Sequence, residues 1–296
     1  MALANVEDEY KKDPNLKRED VRSLLEWVEH QPHLPKITEL QAILFLHSCY
    51  YSNEQAKTTV DNYFTVRTIC SDIFSNRSPN NPSVTETQDV CLVRPLPKLT
   101  PEGYTVIFSK LLNTDPDKYN FSNQIRNWDM SAIRNLNIKG TSNGLIMVAD
   151  LKGIAFGHVT KLNIITMKKF MYYLQEAMPI RIKGLHFINI VPFMDKILAL
   201  MKPFMKKELM SMLFLHNDME EFYKYVPKDM LPKDYGGSCV SIKDLQEQDK
   251  KLLREYESFH KMEDAQMVNE KLRPGRPKQA SDFFGVEGTF KKLEVD

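Results

Sequence analysis

Asp150 and His158 stand eight residues apart around "LKGIAFG", and a carboxylate beside an imidazole is the pairing that general acid–base catalysis uses. Asp150, though, closes the apolar run "GLIMVAD" just ahead of a Lys-Gly turn, where a carboxylate more commonly holds backbone N–H groups. His186 alternates with apolar neighbours in "GLHFINI", the setting of a hydrogen-bonded structural histidine rather than of a base. The chain has no GxGxxG, GxxxxGK[ST], GxSxG or HExxH, so nucleotide binding, serine hydrolysis and zinc proteolysis all lack their physical parts. Cys49, Cys70, Cys91 and Cys239 are scattered, without a CxxC pair or histidines at zinc-ligand spacing, and read as buried thiols. The expectation is a protein that is not an enzyme, with no catalytic residue and no metal.

The more informative residues are apolar and basic together. Phe193, Met194, Ile197, Leu198, Met201, Phe204 and Met205 recur at helical spacing between Pro192 and Pro203. Pro192 suits a first helical position, and Pro203 would kink or end the helix. About 12 residues at 1.5 Å each give roughly 18 Å, against the roughly 30 Å of a bilayer core. Such a helix covers a core or a cavity, or lies on a membrane, but does not span one. Between residues 181 and 210, Arg181, Lys183, Lys196, Lys202, Lys206 and Lys207 face only Asp195 and Glu208, in a chain whose net charge is +1. Basic charge beside an apolar helix suits an anionic membrane surface, which assigns Arg181, Lys183, Lys202, Lys206 and Lys207 to membrane or phosphoinositide contact. "RPGRPK" (273–278) has the Gly-Arg-Pro core of a minor-groove-binding motif. One copy in a nearly neutral chain reads instead as an extended Pro-rich linker, with no nucleic acid as partner.

The elements that must position these residues follow from hydrophobic periodicity. The 296 residues, 42% hydrophobic and 27% charged, suffice for a core-bearing domain plus a smaller one. No uninterrupted apolar run exceeds five residues, and the opening "MALANVEDEYKK" has neither a signal-peptide nor a transit-peptide pattern, which predicts a cytoplasmic protein that meets membranes peripherally. Residues 15–75 carry helical stripes: Val21, Leu24, Leu25 and Val28, then Leu40, Ile43, Leu44 and His47, then Ala56, Val60, Tyr63, Phe64 and Arg67. "SNRSPNNPSVTET" (75–87), dense in Ser, Asn and Pro, ends that bundle and predicts a linker or exposed turn. Beyond it the short apolar runs "YTVIFSKLL", "GLIMVAD", "GLHFINI" and "SMLFLH" alternate with helical segments, one of which places Ile125, Trp128, Ala132 and Leu136 on one face. Alternating strands and helices predict a mainly parallel sheet with right-handed crossovers. After about residue 241 a charged helix precedes an extended tail whose Phe283, Phe284 and Phe290 are expected to dock back.

The order "NGLIMVADLKG", a long helix, "IRIKGLHFINIVPFMDKILALMKPFMKK" and "LPKDYGG" resembles the CRAL-TRIO lipid-transfer family. "ILFLHSCYYSNEQA" is similar to that family's amino-terminal helical module, and "SDFFGVEGTFKKLEVD" resembles the tail of insect members. The resemblance runs along nearly the whole chain. It implies an α/β fold, a mainly parallel sheet forming a lipid-binding cage, preceded by a small all-helical domain. The expected division is 1–82 for the helical domain, 83–245 for the cage and 246–296 for a carboxy-terminal helix and tail.

The family resemblance also implies what the cage holds: one small hydrophobic ligand (a tocopherol, retinoid, carotenoid or other lipid), no cofactor, and a mobile gate helix that falls on the Pro192–Pro203 segment. The expected walls are Phe108, Trp128, Ser131, Met147, Phe156, Phe170, Tyr173, Leu185, Phe187, Phe193, Ile197, Leu198 and Met201. Two positions depart from the family. Glu208 and Met212 stand where phosphoinositide-binding relatives carry further basic residues, and His47 stands where relatives commonly carry arginine. The expectation is a monomeric intracellular carrier that exchanges its ligand at transiently bound anionic or phosphoinositide-containing membranes. The alternative is a phosphoinositide-responsive membrane adaptor.

Overall fold

The computed structural model describes residues 2–285, so the expected docking of Phe290 lies outside the described residues. Its centre is a five-stranded sheet in the order β1 (Cys91–Pro95), β2 (Tyr104–Leu111), β3 (Gly144–Asp150), β4 (Ile182–Ile188) and β5 (Leu213–His216). β1 runs antiparallel to β2, and β2 to β5 are parallel. Parallel neighbours that follow each other in sequence must each be joined by a crossover, and the right-handed rule then puts every crossover on the same face. That face carries the helices Phe121–Lys139, Phe156–Val159, Ile164–Tyr172 with its π turn Tyr173–Ala177, and Met194–Met201.

Strand alternation sorts the side chains between the two faces. Ile107, Met147 and Leu185 are lateral neighbours in one row on the crossover face, and Ser109, Ala149 and Phe187 form the next. Phe108, Val148 and His186 form the intervening row on the other face, where Leu92, Val106, Ile146 and Ile188 pack with Phe222, Val226, Leu231 and Leu245 from the segments after β5.

The helical module, Arg18–Glu29, Glu39–Ser48 and Asn53–Ile69, shares one continuous core with the crossover face. A buried ionic network locks the two together. Asp129, fully buried, accepts hydrogen bonds from Arg67 Nη1 (2.8 Å), Tyr173 Oη (2.6 Å) and Arg77 Nη1 (3.1 Å). Arg77 Nε donates in turn to Asp264 (2.6 Å), and Tyr63 Oη donates to Glu263 (3.1 Å) in the same Glu257–Ala265 helix. Gly140 ends the Phe121–Lys139 helix at φ +75°, and a Cβ there would lie 1.8 Å from Glu9 Oε1, so both conformation and contact require glycine.

Three local expectations are corrected. The Ser/Asn/Pro-rich stretch is not a linker. Asn81 caps a helix over Pro82–Val90 with Pro82 in its first turn, and Arg77 is among the largest fully buried side chains. The Pro192–Pro203 helix is shorter than its stripe, Met194–Met201, and Pro192 lies outside it because a Val191–Met194 turn precedes Phe193 as the capping residue. The strand β1 joins the predicted ones, its end marked by Pro95.

Candidate functional site

Two adjacent small side chains open the crossover face. Ser109 and Ala149 are neighbours on β2 and β3, and above them the sheet and helices leave a cavity. Its volume is about 180 Å³. The floor is Met147, Leu185 and Phe187. The walls are Ile125 and Trp128 from Phe121–Lys139, Leu151, Ile154, Val159 and Leu162 from the loop and short helix after β3, and Met167, Phe170, Met171 and Leu174 from the next helix. Ile197 and Met201 close it from Met194–Met201. The cavity lies over the crossover face of the sheet, between it and the helices, a concave apolar setting of the kind small ligands occupy.

Of the expected walls, Trp128, Met147, Phe170, Leu185, Phe187, Ile197 and Met201 line this cavity. The other six stand elsewhere, each for a local reason. Phe108 alternates to the opposite face and meets Tyr235 edge-on at 5.2 Å. Ser131 turns toward β1 and donates to the Val93 carbonyl at 3.0 Å. Tyr173 belongs to the Asp129 network, and burial together with that carboxylate holds its hydroxyl well above the ordinary tyrosine range. Phe156 and Phe193 meet edge-on at 5.7 Å outside the cavity, with Phe156 55% exposed. Leu198 lies on the half-buried flank of its helix. Ile125, Met167, Met171 and Leu174 were missed, although Met167, Phe170, Met171 and Leu174 recur at i, i+3, i+4 and i+7, a stripe that extends from Phe170.

The closing helix is tied down at both ends. The Phe156–Phe193 contact holds its start. At its end the Gln175 side chain donates to the Phe204 carbonyl (2.9 Å) and accepts the Lys206 N–H (2.7 Å), and Lys206 Nζ pairs with Glu176. Met194, Ile197 and Met201 are the buried residues of the helix, at i, i+3 and i+7.

The polar residues separate into distinct uses. Asp150 accepts from the Lys152 N–H (2.9 Å), Asn189 Nδ2 (2.7 Å) and Tyr235 Oη, with Lys110 Nζ at 3.6 Å, so it serves the turn and does not meet His158. His158, buried, has Nδ1 3.0 Å from the Ala155 N–H. His186 lies on the far face, its Nδ1 2.8 Å from Nε2 of His216, and burial with that neighbour pulls its pKa down to about 3. Of the basic residues, Arg181 stacks over Tyr50 at 4.2 Å and donates to the His47 carbonyl (2.7 Å), and Lys183 reaches the Tyr50 hydroxyl (3.4 Å). Lys202 and Lys207 are exposed. Arg273 and Lys278 of "RPGRPK" both donate to Asp61 (2.8 and 2.7 Å), tying that segment to the helical module. Phe283 and Phe284 pack edge-on against Tyr172 at 5.4 and 5.8 Å, as expected of the tail.

Comparison with known proteins agrees with this architecture. Residues 92–237 match the CRAL/TRIO domain and residues 13–84 the Pinta-like UBA domain. The chain is 26% identical over 244 residues to the alpha-tocopherol transfer protein-like protein of Mus musculus, covering 81% of this chain and 71% of that one. It is 22% identical over 236 residues to Clavesin-1 of Xenopus laevis, covering 78% and 70%. The crystal structure of Sfh5 aligns with a TM-score of 0.48 at 14% identity, over 75% of this chain and 88% of that one. The chain belongs to the CRAL-TRIO family, a CRAL/TRIO domain following a Pinta-like UBA domain.

Proposed function

We propose that the protein carries one small hydrophobic ligand in the cavity above Met147, Leu185 and Phe187 and exchanges it at membranes when the Met194–Met201 helix swings out. The observation that carries this reading is the cavity itself: a concave site with a predominantly apolar lining, closed by two side chains of one short helix. Burial of Ile197 and Met201 against the ligand in one state is replaced by burial in lipid in the other, so opening at a membrane does not expose them to water. Arg181, Lys183, Lys202, Lys206 and Lys207 supply the anionic-surface attraction in this scheme, with Glu208 and Met212 limiting a phosphoinositide grip. A membrane of that kind is the partner, and the relative named for α-tocopherol transfer puts tocopherol among the ligands to test.

The test is native mass spectrometry of the purified protein before and after incubation with phosphatidylcholine vesicles containing α-tocopherol, retinal or β-carotene, followed by transfer of the bound lipid to acceptor vesicles. One extractable molecule per chain that moves between vesicles is the expected result. A protein that binds phosphoinositide vesicles yet neither loads nor releases an apolar molecule would be an adaptor, and the carrier reading would be wrong.

A further inference from the structure

A second cleft lies at the opposite end of β2 from the apolar cavity, beside Thr105, where the cavity lies beside Ser109 and Leu111. Its volume is about 630 Å³, enclosed by the end of β1, the start of β2, the carboxyl end of the Phe121–Lys139 helix and the Ile242–Glu255 helix. Its charges are uneven. Lys12, Arg94 and Lys139 line it against one carboxylate, Asp13, which already accepts from Tyr51 Oη at 2.6 Å and from the Asn15 N–H at 2.9 Å. Lys12 is committed too, to Glu9 and to the Lys139 and Thr141 carbonyls at the negative end of the helix.

Arg94 and Lys139 are not committed. The Arg94 side chain is 17% exposed, yet its nearest carboxylate is Asp249, 3.9 Å from Nη1, and Asp249 is taken by Arg134 and by Gln88 Nε2 at 2.8 Å. Among the described residues no group accepts a hydrogen bond from the Arg94 guanidinium; Nε is sealed from solvent, while Nη1 and Nη2 are not. Burial lowers its pKa by more than Asp249 raises it. An arginine set this deeply is ordinarily paired. Lys139 is exposed and, among the described residues, makes no ion pair. Asn135 stands one helical turn before it on the same face, and the side-chain amides of Asn135 and Gln248 bond to no described protein group.

We propose that this cleft binds a phosphomonoester, its dianion held between the Arg94 guanidinium and the Lys139 ammonium, with the Asn135 and Gln248 amides meeting polar groups on the body of the ligand. A carboxylate brings one charge to two uncompensated cations. A phosphomonoester carries close to two at pH 7, on oxygens whose geometry a guanidinium fork matches. Arg181 and Lys183 lie outside the lining, their side chains engaged by His47 and Tyr50, so the site is separate from the basic residues assigned to the membrane. Nothing in it depends on the occupant of the apolar cavity. A soluble sugar phosphate and the headgroup of phosphatidic acid in a membrane both offer this chemistry.

The experiment titrates the full chain, in a buffer free of phosphate, with glucose 6-phosphate, with glucose, and with phosphatidylcholine vesicles with and without phosphatidic acid. Calorimetry reads the soluble ligands and co-sedimentation the vesicles. Glucose 6-phosphate should bind and glucose should not. Lys139→Gln and Arg94→Gln should each weaken binding at least about tenfold, the scale of one hydrogen bond between charged groups. Lys139 is exposed, so Lys139→Gln keeps the test decisive if Arg94→Gln fails to fold. Binding of phosphatidic acid vesicles without binding of glucose 6-phosphate, lost in Lys139→Gln, would support the site and assign its phosphate to a membrane headgroup. Equal binding of glucose and glucose 6-phosphate, unchanged affinity in Lys139→Gln, or no binding of either phosphate would overturn the site. A loss that follows Arg181→Gln rather than Lys139→Gln would put the phosphate on the other basic residues and overturn it as well.

Discussion

Replacing Gln175 by leucine should loosen the closing helix while leaving the cavity unchanged. Gln175 lies in the π turn Tyr173–Ala177, and its amide makes two bonds to the segment trailing the helix: to the Phe204 carbonyl at 2.9 Å and from the Lys206 N–H at 2.7 Å. Leucine keeps most of the volume and removes both. Phe204 is half-buried and Lys206 exposed, so water can satisfy the freed backbone groups and the loss is close to the net worth of the bonds rather than a full desolvation penalty. At about 1 kcal/mol each, roughly 2 kcal/mol shifts from the closed state, which raises the open population about thirtyfold. The assay is release of bound ligand to excess acceptor vesicles at constant protein, with the thermal midpoint measured alongside. Release should quicken by roughly ten- to thirtyfold with a small loss of midpoint. An unchanged release rate in a normally folded variant would show that this end of the helix does not move during exchange, and the gate reading would fail.

Exchanging both Ile197 and Met201 for aspartate puts carboxylates where the closed helix meets the cavity, so ligand retention should collapse; normal transfer by the folded double variant would refute their role. Asp129→Asn leaves Arg67 and Arg77 without their shared carboxylate and should cost on the order of 3–5 kcal/mol in urea unfolding. Because the network joins the helical module to the cage, the module's Trp27 and the cage's Trp128 should report the same transition in the native protein, and separated transitions would contradict the coupling. Burial, helped by nearby arginines, holds His260 down at about 2, and His186 sits at about 3. Both folded values lie below the ordinary 6.5, so the stability from keeping them neutral is complete above pH 6.5 and is lost as pH falls toward the folded values, by up to about 1.4 kcal/mol per pH unit each. Chemical denaturation between pH 7 and 4 checks the sign. Vesicle binding through Arg181, Lys183, Lys202, Lys206 and Lys207 should weaken from 0.1 to 1 M salt as the Debye length shrinks from about 10 to about 3 Å; equal binding to neutral and anionic vesicles would refute the steering.

How far the sequence foretold this structure depended on whether a local pattern had one physical meaning. The four parallel strands were legible because short apolar runs bounded by glycine or charge have few other readings. The side each residue faces was not. Phe108 and Met147 both sit in runs that are apolar on both faces, so alternation names two sets of residues without saying which meets the helices. The backbone register decides it, pairing Phe108 with Val148 and Met147 with Ile107. Tyr173 stands among the walls that the family resemblance implies. Its hydroxyl is instead claimed by Asp129, 44 residues away in sequence, and no local pattern carries that information. Asn81 and Pro82 spelled a helix start as well as a turn, and only the packing of Val84 and Val90 selects between them.

The ionic network also has a consequence for the order in which the molecule can be completed. Arg77 is buried to 1% exposure between Asp129 and Asp264, and the second of these is 187 residues further along the chain. On a ribosome, a nascent chain that has just finished the helical module holds Arg67 and Arg77 ready with neither counter-charge yet made. Asp129 arrives with the first crossover, but Glu263 and Asp264 emerge only after the entire sheet. The amino-terminal module therefore cannot reach its final packing first and wait for the rest, as independent domains do during synthesis. Its last interior contacts close only after translation has passed the cage.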